Sequence, residues 1–254
     1  MLVLLSCAKT MSAVSKVKVP LTTSPRFQKE AAEIALQMSQ FSVDELERLL
    51  RVNAKIAVEN YKRYQAFHAE ATPELPALLA YTGIVFKRLN PKDFSAEDFG
   101  YAQEHLRLTS FCYGLLRPLD VIRAYRLEGD VVLPELGNQT LFSYWRSRLT
   151  DTFIEDIRSA GGILCNLASD EMKSLFDWKR VESEVRVVTP EFHVWKNGKL
   201  ATIVVYTKMS RGEMTRFILK NKIGNPEELK GFSWEGFEFD ESLSDERKLV
   251  FING

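Results

Sequence analysis

Between Leu106 and Glu128 the chain reads LRLTSFCYGLLRPLDVIRAYRLE, coupling a Tyr-Gly turn to a proline and to Arg107, Arg117, Arg123 and Arg126. No other stretch restricts the possible folds as much. The segment before it has the marks of a helix: Ser95 can cap it, Asp98 sits three residues on, and Phe99, Gln103 and Leu106 repeat at helical spacing. Gly114 can take a positive φ, and Pro118 suits the first position of a second short helix carrying Asp120, Arg123 and Arg126. A helix, a tight hairpin and a second helix with outward N–H groups beside arginines would suit phosphate. The alternative is a helical hairpin packed into a core.

Charge does not decide between them. The 254 residues carry 34 basic and 34 acidic side chains, so the simplest signature of a nucleic-acid binder, a strongly basic chain, is missing. Any such site must arise by local segregation. Lys208 to Lys222 holds five basic residues and one acidic, whereas Asn225 to Gly254 holds three basic and eight acidic. A neutral chain built this way can present a cationic face and an anionic one, or two ordinary solvated faces.

Cys7, Cys112 and Cys165 are scattered, as are His68, His105 and His193, so neither a disulfide framework nor a metal site is expected. No cofactor is expected either, and a reducing cytoplasm fits this cysteine usage. The apolar run Leu2 to Leu5 is shorter than the ~7 to 15 residues of a signal core and is expected to be a buried first strand. No run approaches the ~20 apolar residues that would span a bilayer, so no membrane partner is expected.

With 45% hydrophobic residues and no linker of low complexity, one domain over residues 1–254 is expected. A polar loop, Ser6 to Thr23, should follow the first strand, and helices should begin near Ser24-Pro25, at the capping box Ser42-Val43-Asp44-Glu45 and after Asn53. Leu78 to Tyr81 reads as a short buried strand ending at Gly83. Thr140 to Ala160 reads as an amphipathic helix stopped by Gly161, and Ile163 to Cys165 as a strand. Val185 to Val194 and Leu200 to Tyr206 flank Asn197-Gly198, a hairpin signal. A helix over Glu213 to Lys222, stopped by Gly224, and strands over Trp234 to Phe239 and Lys248 to Ile252 complete the reading. Strands and helices in mixed order, without a GxGxxG turn, predict an α+β fold with a mixed sheet and surrounding helices.

Two strand ends could carry chemistry. Asn166-Leu167-Ala168-Ser169 follows a buried strand and precedes an expected helix over Asp170 to Phe176, so Asn166, Ser169 and Glu171 form a possible anion or ligand site. The alternative is that Ser169 serves only as the helix cap. If the first strand neighbours this one, Lys9, Ser169 and Arg211 would converge.

The pattern L-R-x-x-S-x-x-Y-G-x-L-R-P-x-D, continued by Tyr125-Arg126-Leu127-Glu128, resembles the bacterial YaaA family of peroxide-stress proteins. Four further segments fit the same family in the same order, so the resemblance covers essentially the whole chain. They are Ser6 with Ala8-Lys9-Thr10, Tyr81-Thr82-Gly83, Asn166-Leu167-Ala168-Ser169 with Glu171, and Lys208 with Arg211-Gly212. Two positions depart from it: Cys7 stands where proline is usual and Phe111 where a first hairpin glycine is expected.

The resemblance implies a family-specific fold with a helix-hairpin-helix-like element and a basic cleft that binds duplex, bubble or junction DNA, with little sequence preference. The expected contacts are Lys9, Arg107, Tyr113, Gly114, Arg117, Arg123, Arg126, Lys208 and Arg211. Binding without turnover is expected, since no lysine has a visible activating neighbour. Two other readings stay open. One is a glycosylase or lyase on damaged DNA, with Lys9 or Lys208 as nucleophile and Asp120 or Glu171 as acid/base. The other is a stress-related interaction protein that binds an acidic partner.

Overall fold

The computed structural model describes residues 1–254. Leu2–Leu5 form strand β1, every residue of which is buried. Three helices follow, α1 (Gln28–Met38), α2 (Val43–Leu50) and α3 (Ala54–Ala66). Local chemistry sets the starts of the last two. Ser42 and Glu45 exchange the two hydrogen bonds of a capping box at α2, and the Asn53 side chain accepts the Ile56 N–H at α3. The first helix begins three residues after Pro25, later than Ser24-Pro25 suggests.

Strand β2 (Glu74–Pro76) leads into α4 (Ala77–Ala80) and, after Tyr81-Thr82-Gly83, into α5 (Ile84–Leu89). Leu78 to Ala80 is therefore helical, not the strand expected. The Ala77 and Leu78 N–H groups donate to the Asp120 and Pro118 carbonyls, and Tyr81 makes only a single bridge, to Met11.

Helix α6 (Ala96–His105) carries the Ser95/Asp98 capping box and runs directly into β3 (Leu106–Ser110). Strands β4 (Gly114–Leu116) and β5 (Val121–Arg123) follow. This corrects the helix-hairpin-helix expected over Leu106 to Glu128. Gly114 does take φ +70°, but it opens the second strand of a β-hairpin. The reason is burial: β3 is covered along its whole length and lies between β1 and β4, so it satisfies its backbone groups by sheet pairing. No second helix starts at Pro118. The buried Asp120 carboxylate instead accepts the Arg117 N–H at 2.8 Å and closes a turn.

Two short strands, β6 (Val132–Leu133) and β7 (Gln139–Thr140), precede α7 (Leu141–Ser159), whose N-cap is Thr140. Then come β8 (Ile163–Asn166), α8 (Asp170–Lys173), α9 (Trp178–Glu184), β9 (Arg186–Lys196) and β10 (Lys199–Ala201). Asn197 and Gly198, both at positive φ, form the expected turn between the last two. The second strand is short because Val204 already begins α10 (Val204–Asn221), so Val204 to Tyr206 is helix rather than strand. That helix stops at Lys222, which adopts the left-handed conformation, two residues before Gly224. Strands β11 (Phe237–Asp240) and β12 (Lys248–Asn253) end the chain.

The main sheet has the order β11-β12-β9-β8-β1-β3-β4, with β10 paired to β9. Its five central strands are mutually parallel and its edges antiparallel. Helices surround this mixed sheet, and one continuous hydrophobic core joins the two halves of the chain. The parallel centre brings the C-terminal ends of β1 and β8 side by side, where loops can build a site.

Candidate functional site

At that edge, the loop after β1 meets the loop after β8. The Ser169 N–H donates to Ser6 Oγ at 2.9 Å, the two serine hydroxyls lie 3.3 Å apart, and the Leu167 N–H donates to the Leu4 carbonyl. Ser169 starts α8 but makes no side-chain cap bond, so its hydroxyl serves the loop contact rather than the helix. Lys9 Nζ donates to Glu128 Oε2 at 2.7 Å, and the other oxygen of Glu128 lies 3.5 Å from Arg126 Nη2. A buried carboxylate thus holds two cations together.

The opposite wall comes from α10 and α5. Gly212 lets these helices approach closely: a Cβ there would overlap the Val85 carbonyl oxygen and lie 2.8 Å from Arg88 Cβ. This contact places Arg211 and, one turn earlier, Lys208 on the wall. The result is a cavity of about 310 Å³. Its polar side comprises Ser6, Ser169, Glu171, Lys208, Arg211 and the Lys9/Arg126 pair. Its apolar side includes Ile84, Phe111, Leu127 and Met172. Lys9 and Ser169 meet in one cavity because β1 and β8 are neighbours, and α10 brings Arg211 to the same cavity.

Four buried side-chain polar atoms in the molecule have no hydrogen-bond partner: Arg126 Nε, Arg211 Nε, Asn166 Nδ2 and Ser210 Oγ. Two belong to cavity residues, one to the residue beside Arg211 and one to the end of β8. Burial lowers the pKa of Arg211 while Asp170 opposes the shift, but a guanidinium stays charged. Burial pushes the Cys7 thiol in the same cavity up to about 12, which keeps it protonated at neutral pH. No group of three or more His, Cys, Asp or Glu side chains is placed to hold a metal.

The arginines around Gly114 have different surroundings. Arg107 is buried and donates through Nε to Asp156 at 2.6 Å. Tyr113 is buried with its hydroxyl accepting the Arg123 N–H, and Gly114 is buried against Trp145. These three cannot touch a nucleic acid, which corrects their expected role. Arg117 is neutralised by Asp120, and Arg123 pairs with Glu74 and donates to the Phe67 carbonyl. The basic run Lys208 to Lys222 is largely compensated too, since Arg216, Lys220 and Lys222 pair with Asp93, Asp98 and Glu97. Only Lys208 and Arg211 of its five cations lack a carboxylate within 4.0 Å.

Unpaired positive charge is found elsewhere. An open groove of about 1020 Å³ lies between the loop Ser12 to Lys18 and the segment Leu78 to Phe94. Hydrogen bonds from the Ser12 N–H to the Ala80 carbonyl and from the Thr82 N–H to the Thr10 carbonyl tie the loop to the α4–α5 turn. Lys16, Lys18, Lys87 and Lys92 line this groove, all exposed, and no Asp or Glu does. Sequence reading passed over Lys87 and Lys92. Their signal was the run KRLNPK, six residues with three cations and no carboxylate.

A mixed-sheet protein with cations gathered in one cavity and one groove, and with no metal cluster, is the class these features define. The model of the family described as "Peroxide stress protein YaaA" matches residues 1–243, and the chain belongs to that family. Among its relatives, a UPF0246 protein of Bacteroides thetaiotaomicron is 99% identical over 254 residues, covering 100% of this chain and 99% of the relative. Another, from Phocaeicola vulgatus, is 63% identical over 99% of this chain and 98% of its own length. A UPF0246 protein of Saccharophagus degradans is 34% identical over the same shares. No helix is long and apolar enough to cross a membrane.

Proposed function

We propose that this peroxide-stress family member binds DNA, duplex or structured, through the groove between the Ser12–Lys18 loop and the α4–α5 turn. The observation that carries this reading is the set of four exposed lysines with no carboxylate among the groove residues. Closely spaced cations without counter-charge attract a polyanion and release its condensed counterions. Lys9, Lys208, Arg211 and Arg126 line a separate cavity, with Arg126 held on Glu128. Lysine contacts to phosphate carry no base information, so little sequence preference follows.

A lyase reading is not favoured. Lys9 Nζ is engaged by the Glu128 carboxylate at 2.7 Å and so is not free to attack a substrate.

The test is a fluorescence-anisotropy titration of a short duplex at several salt concentrations, with the native protein and with a Lys16→Gln/Lys87→Gln double variant. Four phosphate contacts give a slope of about −3.6 in log affinity against log salt, and loss of two brings it to about −1.8. An unchanged affinity and slope in the folded variant would contradict the assignment.

A further inference from the structure

We propose that the cavity between β1, β8, α5 and α10 is a binding site for a small phosphate monoester. This site is separate from the DNA groove and does not depend on the DNA reading. Charge is the first argument. Lys9, Arg126, Lys208 and Arg211 face Glu128 and Glu171, which leaves two positive charges uncompensated at the cavity. A phosphate monoester, carrying close to two negative charges at neutral pH, balances them, whereas a carboxylate balances one.

Hydrogen-bonding capacity is the second. Arg211 Nε is buried without a partner and Lys208 has no carboxylate in reach, so both have donors to offer an anion. A guanidinium fork matches phosphate oxygens two at a time. The Ser6 and Ser169 hydroxyls line the same polar side. A buried donor left unpaired is destabilising, and a bound anion removes that penalty.

Shape and the remaining lining describe the rest of the ligand. A volume of about 310 Å³ is at the small end for ligand pockets. Ile84, Phe111, Leu127 and Met172 offer an apolar wall for the ester's organic part. Glu171 has no ion-pair partner and can accept a hydrogen bond from an N–H or hydroxyl on that part. Duplex DNA cannot enter a space of this size, but a single phosphorylated small molecule can.

The experiment is isothermal titration calorimetry of the full chain with phenyl phosphate, 2′-deoxyadenosine 5′-monophosphate, inorganic phosphate and benzoate. The proposal predicts one phosphate ester bound per chain, more tightly than inorganic phosphate and than benzoate. Lys208→Gln, an exposed change that spares the fold, should weaken the ester about tenfold. Arg211→Lys should keep part of the affinity and Arg211→Gln lose more, since lysine keeps the charge but not the fork. Lys87→Gln should leave ester binding as it was, which separates this site from the groove. No heat with either ester, benzoate bound as tightly as phenyl phosphate, or ester binding unaltered by Lys208→Gln would overturn the proposal. So would ester binding that is lost with Lys87→Gln.

Discussion

At the scale of single residues, the arginines divide into those that hold the fold and those that face a site. Arg107 and Arg26 both reach Asp156, and Arg107 is the more buried of the two. Burial alone would raise the carboxyl pKa of Asp156, but the two guanidinium groups outweigh it and leave the group below its ordinary value. A depressed carboxylate contributes stability that is fully present above the unfolded value of about 3.9 and is lost as pH falls through the folded value. Asp156→Asn strands the Arg107 cation in the interior, so it should cost about 3–5 kcal/mol near neutral pH. Urea denaturation should show that gap shrinking as pH falls below the unfolded carboxyl value of about 3.9 and the native carboxylate protonates in its turn. A gap independent of pH would show that the ion pair is not its source. Such pairs were illegible in the sequence because the partners are far apart: Asp156 lies 49 residues from Arg107, and Glu74 lies 49 from Arg123. The same blindness made Arg107 and Arg123 look like phosphate contacts, whereas Arg117 and Arg126 pair with near neighbours, Asp120 and Glu128.

At the scale of elements, what local chemistry decides was legible and what pairing decides was not. The capping boxes at Ser42 and Ser95, the cap at Asn53, the Asn197-Gly198 turn and the β1 strand all follow from neighbours in sequence. Strand β3 follows from β1, which lies about a hundred residues earlier and pairs with it in parallel, and the helical periodicity before it carries no sign of that partner. Helix α10 shows the converse. Its apolar start, Val204 to Tyr206, reads as a strand, yet these residues are exposed in the first turn of a helix whose position is fixed by Gly212 against α5. Gly212→Ala should therefore push the two helices apart, at a cost of about 1–3 kcal/mol from overpacking. Because Lys87 rides on α5, the same change should weaken DNA binding. Thermal melting and the anisotropy titration check both halves. A variant with native melting temperature and affinity would mean that the helix contact tolerates a methyl group.

At the scale of the whole molecule, the fold converts a neutral chain into one with segregated charge. The parallel centre of the sheet gathers residues from positions 6–10, 125–127, 167–172 and 208–211 around one cavity, and the loop after β1 then continues along the groove. The α+β composition, the mixed sheet and its surrounding helices were readable from element order. That Lys9, Ser169 and Arg211 share a cavity required strand adjacency. The groove was invisible for a different reason: its lysines come from two segments, Lys16–Lys18 and Lys87–Lys92, that the bonds of Ser12 and Thr82 to Ala80 and Thr10 bring together. Lysine acetylation footprinting tests whether DNA binds in this groove. The protein is acetylated with and without a saturating duplex, and each lysine's modification is quantified by mass spectrometry. Protection concentrated at Lys16, Lys18, Lys87 and Lys92, and relieved by raised salt, is the result predicted. Equal labelling of these four lysines with and without DNA, or protection confined to lysines outside the groove, would contradict the account.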